Sequence, residues 1–207
     1  MIEKFLEGNH AFVIGEFARR KDFYTGLAKG QSPKVLWIGC VDSRVTPERI
    51  TSAEAGELFV HRNIGNIVPH ASWTFATVLE YAIKHLKIEE IVVCGHSDCG
   101  ALKALYKGRD RFANSPHILE WLRNGDRTLR VVQENYPGKS REEQIEITFE
   151  ENVLVQMENL RTYPVVQEAA REGKLHIHAW FFDIGTGTVF QYDPGKEQFE
   201  AIREERE

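Results

Sequence analysis

The stretch EIVVCGHSDCG (Glu90–Gly100) joins an apolar run to a turn flanked by glycines. Ile91–Cys94 is short and rich in β-branched residues, and so reads as a buried strand. The chain then passes through His96-x-x-Cys99 and enters a helix from about Ala101 to Tyr106. A strand that delivers polar groups into a turn before a helix is the repeating unit of an α/β sheet. KVLWIG (Lys34–Gly39) reads the same way and delivers Cys40 at its C-terminal end. ELFVHRN (Glu57–Asn63) and LHIHAWFFD (Leu175–Asp183) are two further strands, and GTGTVFQYD (Gly185–Asp193) turns back as an antiparallel edge strand.

Between these lie helical patterns. Phe75, Val78, Leu79, Ala82, Ile83 and Leu86 recur at helical spacing over 72–86. Residues 116–160 read as mainly helical, broken at NYPG (Asn135–Gly138), and a short helix follows Pro164. The predicted fold is therefore α/β: a mostly parallel β-sheet with an added antiparallel edge strand, flanking helices and an N-terminal helical arm. One catalytic domain is expected over 1–207, with the arm at 1–30, ended by Gly30 and Pro33. The acidic tail 200–207 is expected to fray in solvent.

In open parallel sheets, functional groups gather beyond the carboxyl ends of the strands. Cys40, His96 and Cys99 fall there, after two different strands. Three cysteines are an odd and sparse set for 207 residues, which argues against a disulfide framework and for metal binding or catalysis. Thiolate and imidazole are ligands suited to zinc. No fourth cysteine or histidine stands near these turns; Cys94 belongs inside its strand. Three protein ligands leave a position for water, the pattern of a catalytic site rather than a structural one.

Asp42 and Arg44 follow Cys40 at alternate positions, and on an extended loop all three share a side. An aspartate beside a metal either ligates it or accepts a hydrogen bond from bound water, and an arginine fork would hold it back from the metal. A zinc-bound hydroxide fixed in this way attacks small electrophiles. Two thiolates offset the charge of zinc and acidify its water less than three imidazoles would, so the expected rate rises with pH around or above neutrality. Taken singly, His-x-x-Cys fits a structural turn and Cys-x-Asp-x-Arg a local ion pair. Both together, each after an apolar strand, point to zinc catalysis.

Composition narrows the remaining classes. A net charge of −5 without any dense basic run disfavours nucleic-acid binding. The apolar runs fall well short of the ~20 residues of a membrane helix. The opening MIEKFLEGNH has no signal-peptide apolar region, and a cytoplasmic protein is expected.

GCVDSRVTPE (Gly39–Glu48), HRNIGNIV (His61–Val68) and GHSDCGALKA (Gly95–Ala104) resemble the signature stretches of β-class carbonic anhydrases, of the bacterial type with a tryptophan before the first zinc cysteine. The resemblance runs on through ENVLVQMENLRTYPVVQ (Glu151–Gln167) and LHIHAWFFDIGTGTV (Leu175–Val189), and so covers nearly the whole chain. It implies reversible hydration of carbon dioxide to bicarbonate and a proton, with one zinc ion per chain on Cys40, His96 and Cys99. It implies Asp42 and Arg44 as the catalytic dyad, and Val45, Tyr81 and Gly100 near the substrate pocket. It also implies a homodimer or homotetramer. In some relatives a Trp–Arg–Tyr set binds bicarbonate at a second, inhibitory pocket. Trp37 and Arg62 match the first two, whereas Phe182 stands at the tyrosine position and lacks its hydroxyl. Other functions on the same pattern are hydrolysis of carbonyl sulfide or carbon disulfide, a non-catalytic zinc protein, and a cysteine nucleophile with His96 as base.

Overall fold

The computed structural model describes residues 1–202, the side chains of Arg109 and Asp110 excepted. The chain divides into two compact units, Met1–Ser32 and Pro33–Glu207. The first holds α1 (Ile2–Phe12), a π-helical turn (Val13–Phe17) and α2 (Lys21–Leu27), none of which contains a buried residue. Its apolar content gathers as an aromatic cluster: Tyr24 meets Phe12, Phe17 and Phe23 with ring centroids 5.1–5.4 Å apart.

The second unit is built on six strands: β1 (Val35–Cys40), β2 (Leu58–Asn63), β3 (Glu90–His96), β4 (His176–Asp183), β5 (Thr188–Asp193) and β6 (Gln198–Ala201). They lie in the order β2-β1-β3-β4-β5-β6. The first four run parallel, whereas β5 and β6 are antiparallel to their neighbours. Two expectations change. Gly185–Asp193 does not supply the edge, because β6 pairs along it. Glu200 and Ala201, expected in the frayed tail, belong to β6; the rest of the tail beyond residue 202 lies outside the described residues.

Alternation along the strands separates two apolar faces. Leu36, Ile38, Ile91, Val93 and Ala179 share one with Phe75, Leu79, Val153, Leu160 and Val166. These helical residues come from α4 (Trp73–Glu80), α8 (Arg141–Leu160) and α9 (Pro164–Arg171). Trp37, Val45, Val92, Cys94 and Phe182 form the other, where Trp37 meets Trp180 edge-to-face at 5.8 Å. With both faces covered, the central strands read as continuous apolar runs. Each fully buried Leu, Ile, Val or Phe contributes about 1.5–3 kcal/mol.

The helices start where side-chain chemistry places them. Pro47, Pro116 and Pro164 open α3 (Pro47–Thr51), α6 (Pro116–Leu122) and α9, at the position where a missing N–H costs nothing. Ser140 and Glu143 form a reciprocal capping box before α8. This helix lies so close to β3 that a Cβ on Gly95 would sit 2.5 Å from Val153 Cγ2 and 3.2 Å from the Phe149 carbonyl. Gly95 is thus fixed by contact, one residue before His96. Two further α-helices of this unit are α5 (Gly100–Tyr106) and α7 (Asp126–Asn135).

Candidate metal centre and active site

The sheet order reverses between β1 and β3, the kind of point where α/β sheets open a crevice at their carboxyl ends. Gly39 pairs with Cys94, so Cys40 and His96 leave the sheet at the same end. The turn after β3 brings Cys99 back beside them. It is tied to β4 by Ser97 N–H donating to the Phe182 carbonyl (3.0 Å) and Ile184 N–H donating to Ser97 Oγ (2.9 Å). The donor atoms of Cys40, His96 and Cys99 lie within 4.8 Å of one another, and all three residues are buried. Among the described residues no other three such donors gather.

The imidazole decides what the cluster can hold. His96 Nδ1 lies 2.8 Å from the Ser97 carbonyl, which can only accept, so Nδ1 carries the proton. Nε2 then presents a lone pair, and it is buried without a hydrogen-bond partner. This is the second-sphere arrangement that fixes a metal-binding histidine. Gly65 N–H donates to Cys40 Sγ at 3.4 Å. A hydrogen bond from Cys99, the leading cause, with further ones from the Gly65 and Asp42 amides, pulls the Cys40 thiol down to about 4 against the opposing effect of burial. The same pairing pushes Cys99 up. A dication that takes both as thiolates abolishes their shared proton. Two sulfurs and one imidazole nitrogen fit zinc. Cys94 is inert by contrast: full burial raises its thiol far above the usual range.

The loop after Cys40 is a turn, not the extended segment expected from sequence. Val45 N–H donates to the Asp42 carbonyl (3.0 Å), and Arg44 N–H to Asp42 Oδ1 (3.0 Å), an Asx turn that folds Arg44 back on Asp42. Arg44 Nε then reaches Oδ1 at 2.9 Å and Nη2 reaches Oδ2 at 2.8 Å. This fork holds the Asp42 carboxyl well below the usual carboxylate range. Arg44 also bonds Asp98, through Nη1 to Oδ2 (2.8 Å) and Nη2 to the carbonyl (3.2 Å), and Lys103 pairs with the other Asp98 oxygen. Asp98 adopts φ +59 within the His96–Cys99 turn. Its sequence signal was only its place between the two ligands, far from Arg44 along the chain.

Arg62 is a clamp on this turn. Nε donates to the Cys40 carbonyl (2.7 Å), and Nη2 to those of Asp42 (2.7 Å) and Val45 (2.8 Å). Trp37 lies in the sheet core with its indole N–H unpartnered. Val45 is buried in the Trp37 cluster. Gly100 begins α5 directly after Cys99, with open space where a Cβ would be. Tyr81 follows α4 half-exposed, and its ring meets Phe59 and stacks on His85.

A thiolate–imidazole cluster at the carboxyl ends of parallel strands, beside a held carboxylate, defines a metal-dependent α/β enzyme. The family model for carbonic anhydrase matches residues 35–189. A carbonic anhydrase of Synechococcus elongatus is 42% identical over 92% of this chain and 71% of its own length. One from Pseudomonas aeruginosa is 36% identical over 98% and 92%. Among solved structures, the β-carbonic anhydrase CcaA superposes with a TM-score of 0.93 at 39% identity, over 99% of this chain and 93% of that one. Two tetrameric β-carbonic anhydrases from Sordaria macrospora are represented by a chain with TM-score 0.80 at 35% identity, over 92% and 95%. The chain belongs to the carbonic anhydrase family, in its β class, whose enzymes reversibly hydrate carbon dioxide.

Proposed function

We propose that Cys40, His96 and Cys99 hold one zinc ion per chain and that Asp42 and Arg44 are the catalytic pair for conversion of carbon dioxide to bicarbonate and a proton. The observation that carries this reading is the buried, unpartnered His96 Nε2 in a cluster with two thiols. When bound, zinc supplies Lewis-acid activation of water at neutral pH.

The protein's part follows from acceptor arithmetic. Asp42 Oδ1 already accepts two hydrogen bonds, from Arg44 N–H and Nε, whereas Oδ2 accepts one. One lone pair of Oδ2 is left to take a hydrogen from the attacking water and so orient its remaining lone pair. Because Arg44 keeps Asp42 ionised, Asp42 accepts this hydrogen bond but does not store the proton. The same fork keeps the carboxylate from turning onto the ligand cluster.

Val45, Tyr81 and Gly100 are assigned to the approach of carbon dioxide. The space beside Gly100 supports this; Tyr81 rests on family resemblance alone. A second bicarbonate pocket at Trp37 and Arg62 has weaker support, since Arg62 is committed to three carbonyls and Phe182 brings no hydroxyl. A homodimer or homotetramer is proposed. The tetrameric Sordaria relatives and the helices of Met1–Ser32, which hold no fully buried residue, support it. Pro33–Glu207 is the catalytic part with residues 1–32 as the arm, and a cytoplasmic location fits both. Among the described residues, no helix is long and apolar enough to cross a membrane.

Stopped-flow hydration of carbon dioxide with a pH indicator tests the reading. Fast hydration is expected from the zinc-loaded chain, with loss on zinc removal and a large decrease in Asp42→Ala. A folded, zinc-loaded chain with no hydration at any pH would refute it and turn attention to carbonyl sulfide and carbon disulfide.

A further inference from the structure

The motif ENVLVQMENL (Glu151–Leu160) supplies none of the candidate ligands or catalytic groups, yet it carries a network of buried amides. Asn152, Gln156 and Asn159 project from one face of α8, at intervals of four and three residues, and all are buried. Three buried amides on a core helix cost stability unless each is satisfied. Here they are. Gln156 Nε2 donates to Asn152 Oδ1 (3.0 Å), and Asn159 Nδ2 to Gln156 Oε1 (3.3 Å). Thr128 Oγ1 donates to Asn152 Oδ1 at one end (3.0 Å), and Arg127 Nη1 to Asn159 Oδ1 at the other (3.1 Å).

What this stripe touches outside the helices is the loop after β2. Asn152 Nδ2 donates to the Gly65 carbonyl (3.1 Å), Val68 N–H donates to Gln156 Oε1 (2.8 Å), and Asn159 Nδ2 donates to the Val68 carbonyl (3.2 Å). Gly65, at φ +81, is the residue whose N–H reaches Cys40 Sγ. A side chain there would meet Ala101 Cβ at 3.3 Å and be strained by the backbone. Asn152 thus holds the carbonyl of the same residue that donates to the ligand sulfur.

We propose that Asn152, seconded by Gln156 and Asn159, is a positioning residue for the metal centre, fixing the Gly65 amide on Cys40 Sγ and thereby setting the orientation and donor strength of that ligand. A hydrogen bond to a ligating sulfur withdraws charge from it, and outer partners of this kind typically govern metal affinity by about 10–100-fold. The proposal rests on the zinc reading given above.

The test uses the full-length metal-loaded protein. Asn152→Leu preserves volume and removes the donor to Gly65. Expected are zinc loss to a competing chelator at roughly 10-fold lower chelator concentration, and a thiolate-to-cobalt charge-transfer band moved to lower energy in the cobalt-substituted protein. Thr128→Val removes a donor to the same amide without touching the loop, and should lower the unfolding temperature while leaving both readouts at wild-type values. A folded Asn152→Leu equal to wild type in retention and band overturns the proposal, as does an equal change in Thr128→Val. Should Asn152→Leu not fold, the wild type decides: cadmium-113 substitution should give scalar coupling between the Gly65 amide proton and the metal through Cys40, and its absence overturns the proposal. A wild type that binds no stoichiometric metal overturns the zinc reading instead, a distinguishable result.

Discussion

At the scale of single residues, the site depends on one guanidinium serving two carboxylates. Arg44 binds both oxygens of Asp42 and also Asp98. Lysine offers a point charge without the planar fork. Arg44→Lys should therefore free Asp42 and lower carbon dioxide hydration on the order of 10²-fold, with zinc content unchanged by elemental analysis. Asp98→Asn leaves the fork on Asp42 intact and removes two solvent-exposed ion pairs, with Arg44 and with Lys103, each worth little. Its hydration rate should fall no more than about fivefold, with the same pH profile. Of these residues, Cys40, His96, Cys99, Asp42 and Arg44 were legible in sequence because their spacing follows two apolar strands. Asp98 was not, because its partner Arg44 lies on another turn and only the sheet brings them together. The expected extended backbone over Cys40, Asp42 and Arg44 failed for a local reason. The Asp42 side chain captured the Arg44 amide and closed a turn.

At the scale of elements, the apolar runs gave away the parallel strands because β1 and β3 are buried on both faces along nearly their whole length. β6 escaped notice: it is four residues long, carries Gln198 and Glu200, and follows a turn like any solvated hairpin end. The tight β3–α8 contact was equally silent in sequence, since Gly95 reads as a turn residue and proves to be a packing residue. Gly95→Ala should destabilise the fold by about 1–3 kcal/mol through overpacking, measured by chemical unfolding. The start of α8 makes a separate prediction. Hydrogen bonds from the Ser140 backbone N–H, then from Lys139 and from the Ser140 hydroxyl, lower Glu143 from 4.5 to about 2. A carboxyl depressed on folding adds stability above its unfolded value and loses it as pH falls toward the folded one. The cap's contribution should thus fade between about pH 4.5 and 2. Glu143→Gln should flatten that part of the stability–pH curve, and Ser140→Ala should cost about 1 kcal/mol.

At the scale of the whole molecule, the N-terminal helices expose Ile2, Phe5, Leu6 and Ile14 to solvent at 64–66%. A chain of 23.8 kDa should therefore run in light scattering as a dimer or tetramer, and deletion of residues 1–32 should shift the distribution toward smaller species. Zinc should matter at this scale too. Cys40 and His96 lie on neighbouring strands, yet β2 and α4 intervene between them along the chain. An ion held by both closes that long excursion as a covalent cross-link would, and it penalises the unfolded ensemble more the longer the excursion. The crossover must be complete before the donors converge, so in refolding experiments uptake of the ion should trail the formation of the parallel sheet. The melting temperature should then climb with free zinc concentration, the ion serving as the knot that would keep a finished topology from coming undone.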